Sequence, residues 1–298
     1  MKIGNLDITN PKIGTTAVSK VFIGIDQVWP NFLTGSTGSF SLRLLSSFYV
    51  GNAIQVRRAS DNTTQDIGFI SGQLDVTSLN TFCSGTNGFV SVWYNQSDAS
   101  NNAIQTTSVN QPKIYDSVTG VELENGKPTI KFIKSSSTWL EVIDTSFGNI
   151  GDVISFFSVC KLNSSTTNYP TLISKSYSEI GSASVYFQNT TEELRIWFNT
   201  GVNTTSYTTF LGSQRLLSFI NLLGVNGNKV YIDGSLVSQK SVNENSGSNI
   251  KKWAIGRNNR DSSYYWDGNI QELILYSSDQ TAHKLKIETN INTNYTIY

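Results

Sequence analysis

The sequence is poor in charge and in the residues that many catalytic and metal sites use. Its 298 residues include one His, two Cys, one Met and five Pro, and only 15% of them are charged. With His283 as the single histidine, a His-based triad and a His-rich zinc site are excluded. Lys plus Arg balances Asp plus Glu at 22 each, so no net charge attracts nucleic acid or an anionic membrane.

Long apolar runs are also missing. No stretch of 18 or more apolar residues occurs, so the sequence predicts no transmembrane helix. Asp7, Asn10 and Pro11 stand where a secretory signal would carry its apolar region, so we expect no signal peptide. The two cysteines, Cys83 and Cys160, lie far apart in sequence, and two free buried thiols are the simplest expectation.

What is present is a β pattern over nearly the whole chain. Short runs rich in Val, Ile, Phe, Tyr and Thr are separated by Gly, Asn, Asp and Ser, which predicts an all-β sandwich. The predicted strands are 20–28, 89–94, 129–132, 153–161, 171–175, 184–188, 193–198, 218–225, 229–232, 253–256 and 269–276. Asn226-Gly227 and Asp233-Gly234 predict tight hairpin turns. Helical patterns are confined to 40–49, 75–82 and 280–290.

Two segments carry resemblances to known families. Residues 40–112 include FSLRLLSSFYVGNAIQVRRASDNTTQDIGF and LNTFCSGTNGFVSVWYNQSDASNNAIQTTSVNQP. They resemble the opening of the catalytic domain of α-L-arabinofuranosidase B, a retaining glycosidase. Further on, KVYIDGSLVSQ, KKWAIGRNN and WDGNIQELILYSSDQTAHKLKIETNINTNY resemble the closing strands of laminin-G-like sandwiches. Together they imply a concanavalin-like antiparallel β-sandwich, or jelly roll, over residues 33–298.

The resemblance also implies a pair of catalytic carboxylates, which the matching positions lack. A retaining glycosidase needs a nucleophile and an acid/base about 5 Å apart. The family's acid/base is an Asp in a segment like Ile-Gly-Gly-Asp-Asn, and IGRNN at 255–259 places Asn258 there. The family's nucleophile is a Glu in Asp-Leu-Glu-Asn-Gly, for which YFQNT at 186–190 offers Gln188. Because an amide cannot donate and recover a proton at useful pH, we expect no catalytic residues and no enzyme activity.

A third departure concerns a disulfide. The family has a short bridged loop, Cys-x-Gly-x-x-Cys, whereas this sequence keeps Cys83 and has Gly88 at the second position. The lost bridge is in keeping with synthesis in a reducing compartment.

Aromatic, amide and guanidinium side chains are the candidates for glycan contact. Aromatic rings stack on the apolar faces of sugars, while amides and guanidinium groups bond to hydroxyls. The predicted glycan-binding residues are Trp93, Tyr94, Gln96, Gln188, Arg257, Asn258, Tyr265 and Trp266. No cofactor is expected. Asp261, Asp267, Asn258 and Asn259 could offer oxygens to Ca²⁺, although solvated turns explain them better.

The first 32 residues form a separate unit in the predicted organisation. KIGTTAVSKVFIGIDQVWP resembles N-terminal segments of bacteriophage virion proteins, and NFLTGSTGS then has the composition of a linker. A strand pair of this size cannot bury its own faces, so we expect it to dock on a partner or on a copy of itself. Its predicted attachment residues are Val21, Phe22, Ile23, Val28 and Trp29. An extra strand pair of the sandwich remains an alternative.

These observations favour a non-catalytic bacteriophage structural protein of the head or tail fibre type. Such a protein would be made in the host cytoplasm and assemble into the virion with other virion proteins. It would form a homo-oligomer such as a trimer and present a glycan-binding surface.

Two alternatives stay open. One is an active arabinofuranosidase-like hydrolase that uses Glu192, Glu193 or Asp261, and the other is a bacterial surface lectin.

Overall fold

The protein is described from a computed structural model. The structure describes residues 35–97, 100–142, 153–163, 169–175, 183–188, 191, 193–198, 201–206, 210–242, 252–259 and 264–298, together with six short strands before residue 30. Those six strands are β1 (Lys2–Ile3), β2 (Leu6–Asp7), β3 (Lys12–Ile13), β4 (Thr16–Ala17), β5 (Val21–Ile23) and β6 (Asp26–Trp29). The side chains of Val21, Phe22, Ile23, Val28 and Trp29 lie outside the described part, so their role in attachment stays a prediction.

The main body consists of short antiparallel strands and two α-helices. Its strands are β7 (Ser36–Ser41), β8 (Ile54–Arg58), β9 (Thr64–Ile67), β10 (Phe69–Ile70), β11 (Gln73–Leu74), β12 (Gly88–Trp93), β13 (Ala103–Ile104), β14 (Lys113–Asp116), β15 (Gly120–Val121), β16 (Leu123–Glu124), β17 (Lys127–Pro128), β18 (Ile130–Phe132), β19 (Leu140–Val142), β20 (Ile154–Leu162), β21 (Thr171–Lys175), β22 (Ala183–Gln188), β23 (Glu193–Phe198), β24 (Gly201–Ser206), β25 (Arg215–Asn221), β26 (Gly224–Ile232), β27 (Ser235–Val242), β28 (Trp253–Ile255) and β29 (Gly268–Tyr276). The helices are α1 (Val76–Phe82) and α2 (Lys284–Tyr295), and 3₁₀ turns span Ser108–Asn110 and Lys134–Ser136.

Two layers of strands enclose one core. The front sheet has the order β24-β23-β22-β21-β28-β19, and the back sheet has the order β27-β26-β25-β20-β29. Strands β7 and β18 share the other edge of β29, while β14, β12 and β13 connect the back sheet to the front sheet. The sheet is therefore continuous and nearly barrel-shaped, and the prediction of an all-β, concanavalin-like sandwich is confirmed.

The back sheet is covered on both faces. One face of β20 and β29 contributes to the core, and the other packs under α2 through a second apolar cluster. That cluster includes Phe157, Ile274, Ile287 and Ile291. Every residue of β29 is buried, which explains why its sequence lacks the clean polar alternation of a half-exposed strand.

Several local predictions are confirmed. Strands β21 and β23 have the predicted bounds, and Asp75 caps α1 by accepting a 3.0 Å hydrogen bond from the Ser78 amide. Asp233-Gly234 forms a two-residue turn between β26 and β27, with both residues at positive φ. The two cysteines are free and buried.

Two other local predictions are wrong. Residues 40–49 are not helical, because Phe40 lies in β7, which pairs with β29. Leu42 and Leu45 fit a helical spacing but serve separate clusters, one in the core and one under α2. Asn226-Gly227 does not form a hairpin tip either. Asn221 of β25 pairs with Asn228 of β26, and the Leu222 amide donates to the Gly227 carbonyl at 2.9 Å, so the chain reverses over residues 223–226, in the first part of β26.

Neither of the two described helices is long and apolar enough to cross a membrane.

Candidate functional site

The outer face of the front sheet carries a row of aromatic and charged side chains at one end. Strand pairing places the start of β19, the end of β28, the start of β21, the end of β22 and the start of β23 side by side. Five strands spaced about 4.8 Å apart give the row a length of roughly 20 Å. We call it the outer row, and it comprises Trp139, Arg257, Tyr264, Tyr169, Tyr186, Arg195 and Glu193.

Strand alternation explains which residues face outward. On β22, Phe187 points into the core against Phe210 and Trp266, so Tyr186 and Gln188 point the other way. On β23, Leu194 and Ile196 are buried, so Glu193 and Arg195 share the outer face. Cross-strand pairs match Tyr186 with Arg195 and Gln188 with Glu193.

A cation–π pair forms one end of the row. The guanidinium carbon of Arg257 lies 3.4 Å from the centroid of the Trp139 ring. Ser174 on β21 fixes the backbone beside it, because its hydroxyl donates to the Arg257 carbonyl and accepts from the Asn259 amide at 3.0 and 2.8 Å. The pair is therefore held just beyond the ends of the neighbouring strands β19 and β28.

Three tyrosines form the middle of the row. Tyr169 packs edge-on against Tyr264, with centroids 4.8 Å apart, and against Tyr186 at 6.0 Å. Tyr169 and Tyr264 are half-buried, whereas Tyr186 is covered. The partly exposed rings of Tyr169 and Tyr264 are suited to stacking on a sugar.

The carboxylate of Glu193 lies at the other end. Oε2 of Glu193 accepts three hydrogen bonds, from Nε and Nη2 of Arg195 at 2.9 and 2.7 Å and from the Thr191 hydroxyl at 2.9 Å. Within the described part of the chain, Oε1 accepts none. The bonds from Arg195 and then Thr191 hold the pKa of Glu193 below its ordinary value. Glu193 is therefore ionised at neutral pH, with one oxygen fixed and the other available.

Residues 256–258 lie antiparallel to residues 264–266. Gly256 follows β28 at a φ of +82°, where a Cβ would overlap the Phe132 ring, so only glycine fits. The Asn258 amide donates to the Tyr264 carbonyl at 3.1 Å, and Arg257 pairs with Tyr265. Asn258 is buried, while Arg257 and Tyr265 are half-buried next to the row.

The structure divides the sequence-predicted glycan residues into two groups. It brings Gln188, Arg257, Asn258 and Tyr265 to this end of the front sheet. It does not bring the other four there, namely Trp93, Tyr94, Gln96 and Trp266.

Those four residues have structural roles instead. Trp93 and Trp266 are fully buried in the core, so their rings are not available to a ligand. Gln96 is buried and bonds to the backbone of Ser41, Arg43 and Leu45. The hydroxyl of Tyr94 donates to Asp66 at 2.8 Å, away from the outer row.

Trp139, Tyr169, Tyr186 and Arg195 were not predicted from the sequence. The available signal was weak. Tyr186 and Gln188 are two residues apart and so share one face of β22, and Glu193 and Arg195 likewise share one face of β23. The structure shows that these two strands are neighbours. Tyr169 stands before β21 with no pattern around it. Its place in the site follows from strand pairing, which sequence periodicity does not encode.

No metal cluster is found within the described ranges, which contain no group of three or more His, Cys, Asp or Glu side chains. Asp267 accepts a 3.3 Å bond from the Lys134 amide, in keeping with a turn role. Asp261 lies outside the described residues.

Comparisons with known proteins agree with this fold. A family model for the catalytic part of α-L-arabinofuranosidase B matches residues 34–123, and a model for the concanavalin A-like lectin/glucanases superfamily matches residues 134–286. Among curated proteins no sequence match is significant.

Solved structures of arabinofuranosidases share this fold. A GH54 α-L-arabinofuranosidase soaked with a cyclic sulfate inhibitor has a TM-score of 0.63 at 16% identity, covering 85% of this chain and 62% of that one. An arabinofuranosidase complexed with arabinofuranosyl-α-1,2-xylobiose has a TM-score of 0.60 at 16% identity, covering 87% and 63%. The chain thus spans about three fifths of the length of these enzymes, and at this identity the likeness shows a common fold.

The expectation of a non-catalytic bacteriophage structural protein is contradicted by these findings. The relatives that they name at this level of similarity are arabinofuranosidases, and no virion protein is among them. The same findings contradict the expectation that the protein is not an enzyme. Since the second family model covers more than half of the sequence, the chain belongs to the concanavalin A-like lectin/glucanases superfamily.

Proposed function

We propose that this protein is a glycoside hydrolase whose active site is the outer row, with Glu193 as its ionised carboxylate. The observation that carries the proposal is the arrangement of Glu193. One of its oxygens is fixed by Arg195 and Thr191, its second oxygen is available, and the tyrosines lie beside it.

The position of Glu193 offers a replacement for the carboxylate that Gln188 lacks. The two residues are a direct cross-strand pair on the outer face, so their Cβ atoms are about 5 Å apart. A carboxylate moved from β22 to β23 would reach nearly the same space above the sheet. In a retaining mechanism Glu193 would attack the anomeric carbon, while a second carboxyl group about 5 Å away protonates the leaving oxygen.

The second carboxyl group is a further part of the proposal. Glu192 and Asp261, which lie outside the described residues, are the candidates named by the sequence. Asp261 falls between Asn258 and Tyr264 in the sequence, and the Asn258 amide donates to the Tyr264 carbonyl beside the row. The buried Asn258 would then hold the backbone here rather than transfer a proton.

An aryl α-L-arabinofuranoside is the first substrate to test, because the family model over residues 34–123 describes an arabinofuranosidase. We expect turnover by the wild type and a loss of at least a thousandfold in Glu193→Gln. The matched control is Glu141→Gln, since Glu141 lies on the same face of the front sheet but is paired with Lys252 at 2.9 Å.

Chemical rescue tests the role of the carboxylate. Azide should restore turnover to Glu193→Ala and give a glycosyl azide of inverted configuration if Glu193 is the nucleophile. Rescue with retained configuration would assign Glu193 as the acid/base instead. Binding of the arabinofuranoside without any turnover by the wild type would overturn the proposal.

A further inference from the structure

A cleft beside the outer row contains a guanidinium group that pairs with no carboxylate of the described residues. The cleft has a volume of about 660 Å³ and lies between β8, β12 and the two 3₁₀ turns. Its size is within the range of small-ligand sites. Arg57 is the one charged side chain in its lining, and the rest is mainly hydroxyl and amide groups, including Ser108, Asn110 and Ser136.

Arg57 is held rigidly in this cleft. It stacks on Phe89, its cross-strand partner on β12, with the guanidinium carbon 5.0 Å from the ring centroid. Its Nε donates to Gln111 at 2.7 Å, Nη1 to Asn62 at 2.9 Å, and Nη2 to the Ser108 carbonyl at 3.2 Å. All three acceptors are uncharged, and no carboxylate of the described residues pairs with Arg57.

The neighbouring residue, Arg58, differs from Arg57 in having a carboxylate partner. Arg58 forms a salt bridge with Asp61 at 2.6 Å, and this bond raises its pKa. Burial lowers the pKa of Arg57 instead. One positive charge of this Arg-Arg pair is therefore neutralised within the fold, and the other is left for a ligand.

The number of unused N–H donors on Arg57 indicates which kind of ligand fits the cleft. A guanidinium group has five N–H bonds, and the three hydrogen bonds of Arg57 leave one N–H on Nη1 and one on Nη2. Two donors on a planar fork match one carboxylate. A phosphate dianion would need further cations, which the lining lacks, whereas serine hydroxyls and amides suit the hydroxyl groups of a sugar ring.

The cleft adjoins the outer row. Thr138 lines the cleft and precedes Trp139, whose amide donates to the Asn110 carbonyl in the opposite wall at 3.0 Å. A glycan lying along the row could thus continue past Trp139 into the cleft. We propose that the Arg57 cleft is a binding site for an acidic sugar unit, whose carboxylate bonds to Arg57 and whose hydroxyls bond to the serine and amide groups around it.

The test measures by calorimetry how tightly the full chain binds trigalacturonic acid and its methyl ester. In the ester each carboxylate is replaced by an uncharged group of similar shape. We expect the acid to bind at least tenfold more tightly than the ester. Arg57→Gln should weaken binding of the acid at least tenfold, while Arg58→Gln, on the adjacent residue, should leave it unchanged. Arg57→Gln also loses the bonds to Gln111 and Asn62, so its effect could come from a local structural change. Ser136→Trp is therefore a second variant, which fills the cleft from the exposed 3₁₀ turn and keeps Arg57 intact.

Three results would overturn the proposal: no binding of the acid by the wild type, equal binding by Arg57→Gln, or equal binding of the ester. Inorganic phosphate is the last ligand to be tested. If phosphate bound as tightly as the acid, the cleft would be a general anion site rather than a sugar site. The binding assay does not depend on hydrolysis. If the protein bound the acid through Arg57 but hydrolysed no arabinofuranoside, the proposed activity would be refuted and the cleft proposal would still hold.

Discussion

Arg43 and Glu272 form a buried, two-bond ion pair between the segment after β7 and strand β29. Arg43 Nε and Nη2 donate to the two carboxylate oxygens at 2.7 and 2.8 Å, and the exposed fractions of the two side chains are 8% and 0%. The hydroxyls of Ser41 and Tyr295 also donate to Glu272, at 2.8 and 3.1 Å. The network joins the start of the sandwich, its last strand and α2.

Removing one partner of this pair should destabilise the fold strongly. In Arg43→Met the Glu272 carboxylate would stay buried without its cation, which typically costs about 3–5 kcal/mol in the free energy of unfolding. Urea denaturation measures this change. Lys131→Met, which breaks the more exposed pair with Glu122, is the control and should change stability by less than about 1 kcal/mol. Equal effects of the two variants would contradict the account.

A disulfide should form when Gly88 is replaced by Cys. A Cβ at residue 88 would lie 2.6 Å from the Cys83 sulfur, closer than a non-bonded contact allows, so a new sulfur there is within bonding reach after a small shift. We expect one free thiol, Cys160, in oxidised Gly88→Cys and a gain of about 2 kcal/mol over its own reduced form.

Thiol counting by mass spectrometry and denaturation with and without reductant check this disulfide. Gly85→Cys is the control, because a Cβ at residue 85 has no atom within 4 Å. Three free thiols in oxidised Gly88→Cys would show that the loop cannot accept the bridge.

The pH dependence of activity should depend on Arg195. In the proposed mechanism Glu193 acts as a carboxylate, and its pKa is lowered, so activity should persist below the ordinary glutamate value of about 4.3 and be lost as the pH falls through the lowered pKa. Arg195→Met removes two hydrogen bonds to Glu193, so the acid limb of kcat/KM should move to higher pH. Lys252→Met, which changes a cation paired with Glu141 on the same face, should leave the limb in place. An acid limb unaffected by Arg195→Met would assign it to another group.

The tyrosines of the outer row should contribute to substrate binding. Tyr264→Ala removes a ring that packs at 4.8 Å on Tyr169, and the loss of one aromatic contact should lower kcat/KM about tenfold. Tyr94→Ala is the matched control, because Tyr94 bonds to Asp66 away from the row. Steady-state kinetics with the aryl arabinofuranoside distinguish the two, and a larger effect of Tyr94→Ala would favour the site predicted from sequence.

The fold could be predicted from the sequence where the signal was local. β-Rich runs gave the bounds of β21 and β23, Asp233-Gly234 gave a turn, and Asp75 gave a helix cap. The segment 40–49 could not be predicted this way, because its apolar spacing reflects two clusters on different sides of a sheet.

The candidate site was less predictable for a related reason. Alternation shows that a residue lies on one face of a strand, but it does not show which face is covered. Trp93 and Trp266 were therefore taken for surface aromatics although they are core. Conversely, Tyr169 and Arg195 come together only through the pairing of β21, β22 and β23.

The pairing of β7 with β29 has a consequence for synthesis. Residues 36–41 bond to residues 272–276, so the edge of β7 stays without this partner until strand β29, far along the chain, has been synthesised. Contacts so distant in sequence form slowly, because a very long loop must close first. We therefore expect closure of the sandwich to be a late step of folding, and truncated chains that lack β29 to expose a ready edge for aggregation.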